Sequence, residues 1–210
     1  MAQTIAVVDY GMGNLRSVVK ALEHVADGEQ VVLTSDPDQV LRADRVLFPG
    51  QGAARDCMRA LNQTGMGEVV MEAARNKPFL GICMGMQVLM GRSQENDGID
   101  CLGLYEGDVV RFDDIMNGER YKIPHMGWNT VKQVQAHALW QGIEDQSHFY
   151  FVHSYHVEPR DPSLAAGETE YGVNFTSAIA RDNVFAIQCH PEKSAQAGLK
   201  LLENFIQWDI

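Results

Sequence analysis

Short apolar runs alternate with amphipathic segments along the first half of the chain. Residues 4–8 form an almost unbroken apolar run, which predicts a buried strand, and residues 30–34 and 45–48 are similar. Alternation of such strands with helices predicts a parallel sheet that is covered on both faces. Between the first two runs, apolar residues recur at spacings of three and four, which predicts a helix with one apolar face: Leu15, Val18, Val19, Leu22 and Val25.

The pattern changes after a fourth strand, which we predict at residues 78–82 after a helical stretch near residues 68–75. Residues 148–157 are rich in aromatic and β-branched side chains, which predicts a further strand. Residues 175–180 and 184–188 flank an Arg-Asp-Asn turn and predict a hairpin. A closing helix should carry one apolar face made of Ala195, Leu199, Leu202 and Ile206.

These elements together predict an α/β fold. We expect an open, mostly parallel central sheet flanked by helices, with an additional antiparallel or mixed strand region in the second half. No repeat, low-complexity tract or linker divides the sequence, so residues 1–210 are expected to form a single domain.

Composition and charge narrow the function classes. Of the 210 residues, 45% are hydrophobic and 21% are charged, which is typical of a soluble globular protein. The formal net charge of −11 argues against nucleic-acid binding, and the apolar runs are too short to cross a bilayer. The first residues lack the basic and apolar regions of a secretory signal, so we expect a cytoplasmic protein without a membrane partner.

One of the four cysteines has a sequence context that is typical of a nucleophile. Cys57, Cys101 and Cys189 show no CxxC spacing and are expected to be reduced thiols, whereas Cys83 is the centre of Gly-Ile-Cys-Met-Gly at residues 81–85. This is the cysteine counterpart of the nucleophile elbow, a sharp strand-to-helix turn that needs small flanking residues. The helix N-terminus favours a thiolate, and the Met84 N–H can face a developing oxyanion. The alternative is a structural cysteine in a glycine-rich turn.

A cysteine nucleophile needs an imidazole to take and return a proton, and a third group to hold that ring. Of the seven histidines, we favour His190, because Pro191 restricts it to an extended conformation at the predicted end of a strand. Glu192 can then return to the same side and orient the ring. His153 and His156 should face opposite sides of one strand, which argues against a metal pair, and no cofactor-binding fingerprint is evident.

Residues 81–87, combined with His-Pro-Glu at residues 190–192, resemble the class I glutamine amidotransferases. Within that family, five further segments are similar to the glutaminase subunits of imidazole glycerol phosphate synthases, which act in histidine biosynthesis. These segments are residues 10–14 (Tyr-Gly-Met-Gly-Asn), 49–52 (Pro-Gly-Gln-Gly), 124–129 (Pro-His-Met-Gly-Trp-Asn), 149–155 (Phe-Tyr-Phe-Val-His-Ser-Tyr) and 193–194 (Lys-Ser). The chain departs from many relatives at Gln51, where a small apolar residue is common, and at Cys189, where an aromatic is common.

The resemblance implies a flavodoxin-like sheet around a catalytic triad, with Cys83 as nucleophile, His190 as general acid and base, and Glu192 as the group that orients the imidazole. It implies an oxyanion hole formed by the backbone N–H groups of Gln51 and Met84. It also implies a site for L-glutamine that consists of Gly50, Gly52, Gln87, Glu95, Ser154 and Tyr155. Glu95 can pair with the α-ammonium group by charge, or it can be a solvated loop carboxylate.

The resemblance further implies a heterodimer with a separate (β/α)8-barrel cyclase subunit, which uses the ammonia to form imidazole glycerol phosphate and AICAR. Asn14, Trp128, Tyr150 and Lys193 are then expected at or near the interface. Their alternatives are a turn residue, a core tryptophan, a core tyrosine and a surface lysine. Three rival functions remain: the glutaminase of another synthase, a non-catalytic regulatory module and a cysteine peptidase.

Overall fold

The computed structural model describes residues 2–210, and its first half has the predicted alternation of strands and helices. The second helix is capped by Asp36, whose carboxylate accepts a hydrogen bond from the Asp38 N–H at 2.9 Å. The elements are β1 (Thr4–Val8), α1 (Leu15–Val25), β2 (Gln30–Thr34), α2 (Pro37–Arg42), β3 (Arg45–Gly50), α3 (Ala54–Thr64), α4 (Met66–Asn76), β4 (Phe79–Cys83) and α5 (Met84–Gln87).

The second half consists mainly of strands and ends in a long helix. Short 3-10 turns at Glu95–Asp97, Ala138–Trp140, Pro162–Leu164 and Pro191–Lys193 separate some of them. The elements are β5 (Arg92–Ser93), β6 (Ile99–Asp100), β7 (Gly107–Arg111), β8 (Ile115–Met116), β9 (Glu119–Arg120), β10 (His125–Gln133), β11 (Ser147–His153), β12 (Tyr155–Pro159), β13 (Ala165–Tyr171), β14 (Val173–Arg181), β15 (Val184–Ile187) and α6 (Ala195–Gln207).

The central sheet is parallel on one side and antiparallel on the other. Its parallel part has the order β2-β1-β3-β4-β15. The hairpin predicted around Asp182 joins β14 to β15, and β12, β13, β10 and β11 extend the structure with antiparallel pairs. The expected fold class, a mostly parallel sheet with an antiparallel region from the second half, is therefore what forms. In this sheet the carboxyl ends of β3, β4 and β15 lie at the same edge.

Two apolar layers cover the parallel sheet, one on each face. Successive residues of a strand point to opposite faces, so in β1 Ile5 and Val7 enter one layer while Ala6 and Val8 enter the other. Helices α1 and α6 contribute to the first layer, and α2, α3 and α4 to the second. The continuous apolar runs of the first half are explained by this two-sided burial. Within residues 2–210, no helix is both long and apolar enough to cross a membrane.

Two details of the second half differ from the sequence prediction. The strand predicted at residues 148–157 is interrupted at Ser154, and this break disturbs the alternation of side chains, so the rings of His153 and His156 both pack against Phe112. In α6, Ala195 is exposed at the first position with a φ of 48°, and Leu199 is only half-buried. Leu202 and Ile206 are buried as predicted, and the rest of the buried face consists of Gly198, Leu201, Asn204 and Phe205.

Gly198 allows α6 to pack closely on the turn that follows β15. A β-carbon at this position would overlap the Pro191 carbonyl oxygen and would lie 2.8 Å from the Ser194 β-carbon. We predict that Gly198→Ala lowers the free energy of unfolding by about 1–3 kcal/mol and reduces activity, because the helix must move away from the turn. The exposed Gln196→Ala on the same helix is the matched control and should stay within about 0.5 kcal/mol of wild type. Chemical denaturation measures both, and equal stabilities would contradict the prediction.

Candidate active site

Cys83 lies at the end of β4 in a strained backbone conformation, with φ of 55° and ψ of −111°. A non-glycine residue adopts a positive φ only when its surroundings enforce it. Here the turn is pressed against β3, since a β-carbon on Gly85 would overlap the Phe48 carbonyl oxygen, and one on Gly81 would lie 2.9 Å from the Gly85 oxygen. The local structure is the elbow that the glycine spacing predicts, although α5 behind it is only four residues long.

The carboxyl ends of β3, β4 and β15 bring distant parts of the sequence together. Gly50 pairs with Cys83 across the sheet, and β15 leads directly into His190. A β-carbon on Gly50 would lie 2.7 Å from that of Met84, so the segment after β3 passes close to the elbow. These residues enclose a cavity of about 330 Å³ that is lined by Gln51, Gly52, Cys83, Met84, Gln87, Glu95, Pro124, Val152, His153, Ser154, Tyr155 and His190.

This cavity contains nine of the residues that the sequence predicts for catalysis and glutamine binding. Gly50 is buried beneath it, and Glu192 is located behind His190. A larger and more open cavity of about 680 Å³ lies beside α2, α3 and α4, but none of its lining residues is a predicted site residue. The smaller cavity is therefore the candidate active site.

His190 is held in place by Glu192, whose Oε1 atom is 2.9 Å from the imidazole Nδ1. Burial lowers the pKa of His190, but hydrogen bonds and charge interactions with Cys83 and Glu192 more than compensate and raise it to about 10. The imidazole Nε2 has no partner with good hydrogen-bond geometry elsewhere in the described residues, and it faces the cavity with Cys83. This arrangement can move protons to and from a group bound at the sulfur.

The turn that carries His190 is fixed to β11 by backbone hydrogen bonds. The His190 N–H donates to the Tyr150 carbonyl at 2.9 Å, and the Ser194 hydroxyl donates to the His190 carbonyl at 2.6 Å. The Tyr150 N–H in turn donates to the Ser194 hydroxyl at 2.9 Å. The position of the imidazole therefore depends directly on the backbone of Tyr150.

The other three cysteines have environments that keep them protonated. Burial raises the pKa of Cys57 and of Cys101 to about 11 each, and it raises that of Cys189 well above its usual value. Cys57 lies in α3, and Cys189 is fully buried in the core. Only Cys83 combines access to the cavity with a neighbouring imidazole.

Five of the six predicted glutamine-binding residues line the same cavity, namely Gly52, Gln87, Glu95, Ser154 and Tyr155. The Glu95 carboxylate accepts a hydrogen bond of 2.6 Å from the Ala54 N–H, so it is anchored at the start of α3 with one side facing the cavity. Ser154 separates β11 from β12, which leaves its backbone and that of Tyr155 on the cavity wall. The Gln87 amide nitrogen donates to the Tyr155 carbonyl at 3.0 Å and is thereby held against the same wall.

Sequence reasoning missed two polar side chains at this site. His153 lines the cavity, and the fully buried Gln188 places its amide nitrogen 3.6 Å from the Cys83 sulfur. A signal for Gln188 was available, because a residue two positions before His190 in an extended segment shares its side. His153 gave no such signal, because its orientation depends on the break at Ser154.

The four residues expected at a partner interface lie outside the cavity. Trp128 is 53% exposed and is not a core residue; its ring meets that of Tyr150 edge-on at 6.0 Å. The Lys193 ammonium lies 5.9 Å from the Tyr150 ring centre. Asn14 is half-buried at the start of α1, directly after a glycine that packs near Gly50. Across residues 2–210, no three His, Cys, Asp or Glu side chains are grouped to hold a metal ion.

A family model and sequence relatives assign the chain to one family, and a solved structure shares its fold. A family model described as glutamine amidotransferase class-I matches residues 6–208. The chain is 60% identical to the imidazole glycerol phosphate synthase subunit HisH of Dechloromonas aromatica (strain RCB), with 98% of this chain and 97% of that protein covered. It is 58% identical to the subunit of the same name from Aromatoleum aromaticum, over 97% and 98% of the two chains. PurLQS from Thermotoga maritima has a similar fold, with a TM-score of 0.71 at 17% identity over 99% of both chains.

The negative charge of Glu192 should raise the pKa of His190. In Glu192→Gln the amide can still accept from Nδ1, but the negative charge is lost, so we predict that the pKa of His190 falls from about 10. The imidazolium, which persists below that pKa and is lost above it, should then disappear at a lower pH, and the alkaline limb of the pH–rate profile should move in the same direction. We expect the rate to fall about a hundredfold or more.

NMR titration of His190 measures this shift, with glutaminase assays over the same pH range. Glu203→Gln, which removes a carboxylate that pairs with Lys200 on α6, is the matched control and should change neither quantity. An unchanged His190 titration in Glu192→Gln would show that the carboxylate has no electrostatic role.

Proposed function

The chain belongs to the class-I glutamine amidotransferase family, and we propose that it is the glutaminase subunit of an imidazole glycerol phosphate synthase. In that role it hydrolyses L-glutamine to glutamate and delivers the ammonia to a cyclase subunit. The observation that carries the proposal is the meeting of Cys83, His190 and the predicted glutamine-binding residues in one cavity, in a chain that is similar to such subunits over nearly its whole length.

The reaction begins at the Cys83 sulfur, which attacks the side-chain carboxamide carbon of glutamine as a thiolate. The carbonyl oxygen becomes an oxyanion, and the backbone N–H groups of Met84 and Gln51 stabilise it. Met84 is the first residue of α5, so its N–H has no partner within the helix. The carbon–nitrogen bond then breaks, nitrogen takes the proton from His190 Nε2, and ammonia leaves behind a glutamyl thioester.

Water completes the cycle. The neutral His190 removes a proton from a water molecule, and the water oxygen attacks the thioester carbon. The carbon–sulfur bond then breaks, which returns the Cys83 thiolate and releases glutamate. Glu192 keeps the imidazole in the tautomer that carries its proton on Nδ1 when Nε2 accepts.

The charged end of glutamine fits the far side of the cavity. The Glu95 carboxylate is placed to pair with the α-ammonium group, and the segment around Ser154 and Tyr155 offers backbone groups to the amino-acid end. Gly50 and Gly52 flank Gln51 and give its peptide room to turn, which suits a switch that completes the oxyanion hole only when the partner is ready.

The partner that we propose is a (β/α)8-barrel cyclase, bound as a heterodimer. Trp128, Met126, Tyr150 and Lys193 form an exposed aromatic and cationic surface, in which Trp128 and Met126 are more than half exposed. Large exposed aromatics of this kind are favoured at the centres of protein interfaces. Because the Tyr150 backbone also holds His190 and Ser194, a partner that moves this surface also moves the catalytic imidazole.

Replacement of the nucleophile should stop the release of ammonia from glutamine without affecting the synthesis that uses ammonia. We predict that Cys83→Ala abolishes glutamine-dependent synthesis in the reconstituted complex and leaves synthesis from added ammonium salts unchanged, because only the release of ammonia needs the thiol. Cys57→Ala is the matched control and should keep most of both activities. Glutamine turnover by Cys83→Ala at a near-normal rate would refute the assignment.

The proposed interface predicts a separate effect on association. Trp128→Ala should weaken binding of the cyclase subunit at least about tenfold, because it removes a large exposed aromatic from the centre of the surface. Val134→Ala, which truncates another exposed apolar side chain beyond the end of β10, should leave the dissociation constant within about twofold. Titration calorimetry measures both, and equal dissociation constants for the two variants would place the interface elsewhere.

A further inference from the structure

Gln188 is a buried amide next to the nucleophile that has no part in the reaction described above. It follows β15, is fully buried, and lies two residues before His190. Its Nε2 atom is 3.6 Å from the Cys83 sulfur, a normal separation between an N–H donor and the large sulfur atom. Cys83 itself is only 5% exposed, so water has little access to its side chain.

The orientation of the Gln188 amide follows from its neighbours. The backbone carbonyl of Tyr155 can only accept hydrogen bonds, so the Gln87 group 3.0 Å from it must be the NH2. The same Gln87 nitrogen is 2.9 Å from Gln188, which must therefore present its oxygen to Gln87. The NH2 of Gln188 is thereby directed at the sulfur.

A second set of side chains fixes the same carbonyl from the other side. His153 Nδ1 is 2.8 Å from the Tyr155 oxygen and must donate to it, so His153 Nε2 accepts from His125 Nδ1 at 2.9 Å. Burial lowers the pKa of His125 to about 4 and that of His153 to about 3, so both rings are neutral near pH 7 and can each donate once and accept once. The Tyr155 carbonyl can only accept. This fixes which group donates in each hydrogen bond that leads from it through Gln87 and Gln188 to the Cys83 sulfur.

We propose that Gln188 is a catalytic residue whose side-chain N–H hydrogen-bonds the Cys83 thiolate, stabilising its charge and aiming the sulfur at the substrate carboxamide. This inference rests on the proposed glutaminase function. A buried thiolate needs donors to replace its lost hydration, and His190 alone cannot serve because it gives up its proton during each turnover. An amide keeps its hydrogens, so Gln188 contacts the sulfur at both ends of the cycle, when the thiolate attacks and when it departs from the thioester.

Four titratable groups around the sulfur have pKa values well above neutral pH. Burial raises the pKa of Tyr10 and Cys189 well above their usual values and that of Cys57 to about 11, while His190, with Glu192 on its far side, titrates near 10. A difference in the alkylation of Cys83 between wild type and a Gln188 variant therefore reports on the hydrogen-bond donors of the sulfur.

The test is alkylation of the full chain by iodoacetamide over a range of pH, with the adduct at Cys83 quantified by mass spectrometry. Gln188→Met keeps the length of the side chain and removes the donor. Its alkylation rate at pH 7 should be about tenfold lower, and the pH of half-maximal rate about one unit higher. Gln133→Met is the matched control, since it removes an amide that donates to the Ile143 carbonyl far from the sulfur, and its profile should match wild type.

Two further measurements test the role of Gln188 if Gln188→Met does not fold. Gln188→Glu still accepts from Gln87 but turns an oxygen toward the sulfur, so alkylation should be slower than in Gln188→Met. In the ¹⁵N-labelled wild-type chain, the side-chain amide resonance of Gln188 should move through the same pH range as the alkylation rate. A wild-type profile in either folded variant, or an amide resonance that does not respond to pH, would overturn the proposal.

Assays of glutamine hydrolysis distinguish a failure of the role proposed for Gln188 from a failure of the proposed function. With the cyclase partner and its ligand present, kcat for glutamine hydrolysis should fall about ten- to a hundredfold in Gln188→Met, with a smaller change in KM. If the wild-type complex hydrolyses no glutamine, the proposed function fails, while the alkylation profiles still decide whether Gln188 supports the thiolate.

Discussion

The strained backbone at Cys83 is the constraint on which the site depends. A φ of 55° is unfavourable for cysteine, and it persists because the turn between β4 and α5 is pressed against β3 without space for a β-carbon at Gly85. The same close packing places Gly50 against Met84, so the segment after β3 passes beside the elbow. The parallel pairing of β4 with β15 then places the imidazole and the Gln188 amide at the same edge of the sheet.

Sequence pattern was sufficient for the parallel half of the fold because both faces of that sheet are buried. Its strands are continuous apolar runs, and its helices have clear apolar faces. The second half was harder to predict. Its strand boundaries depend on pairing between distant segments, and the break at Ser154 is not marked by glycine or proline. The predicted apolar face of α6 was right at Leu202 and Ile206 but wrong at Ala195 and Leu199, because the buried side is centred on Leu201 and Phe205 and packs closely at Gly198.

The candidate site could be predicted where a local motif imposes geometry. The glycines around Cys83 and the proline after His190 both restrict the backbone, so the positions of these two side chains follow from short sequences. Gln188, His125 and His153 belong to a hydrogen-bond network that meets at the Tyr155 carbonyl, and no local pattern specifies it. The exposure of Trp128 agrees with the family resemblance and not with residue type alone, because tryptophan is more often a packing residue.

The proposed function requires that Cys83 form a covalent bond with the substrate carbon in a pocket shaped for glutamine. The most direct measurement is labelling of the intact chain with a glutamine analogue that carries an electrophile in place of the carboxamide, followed by mapping of the modified residue. We predict one label per chain, on Cys83, and protection against labelling by glutamine. A label on Cys57, Cys101 or Cys189, or modification of Cys83 that glutamine does not slow, would contradict it.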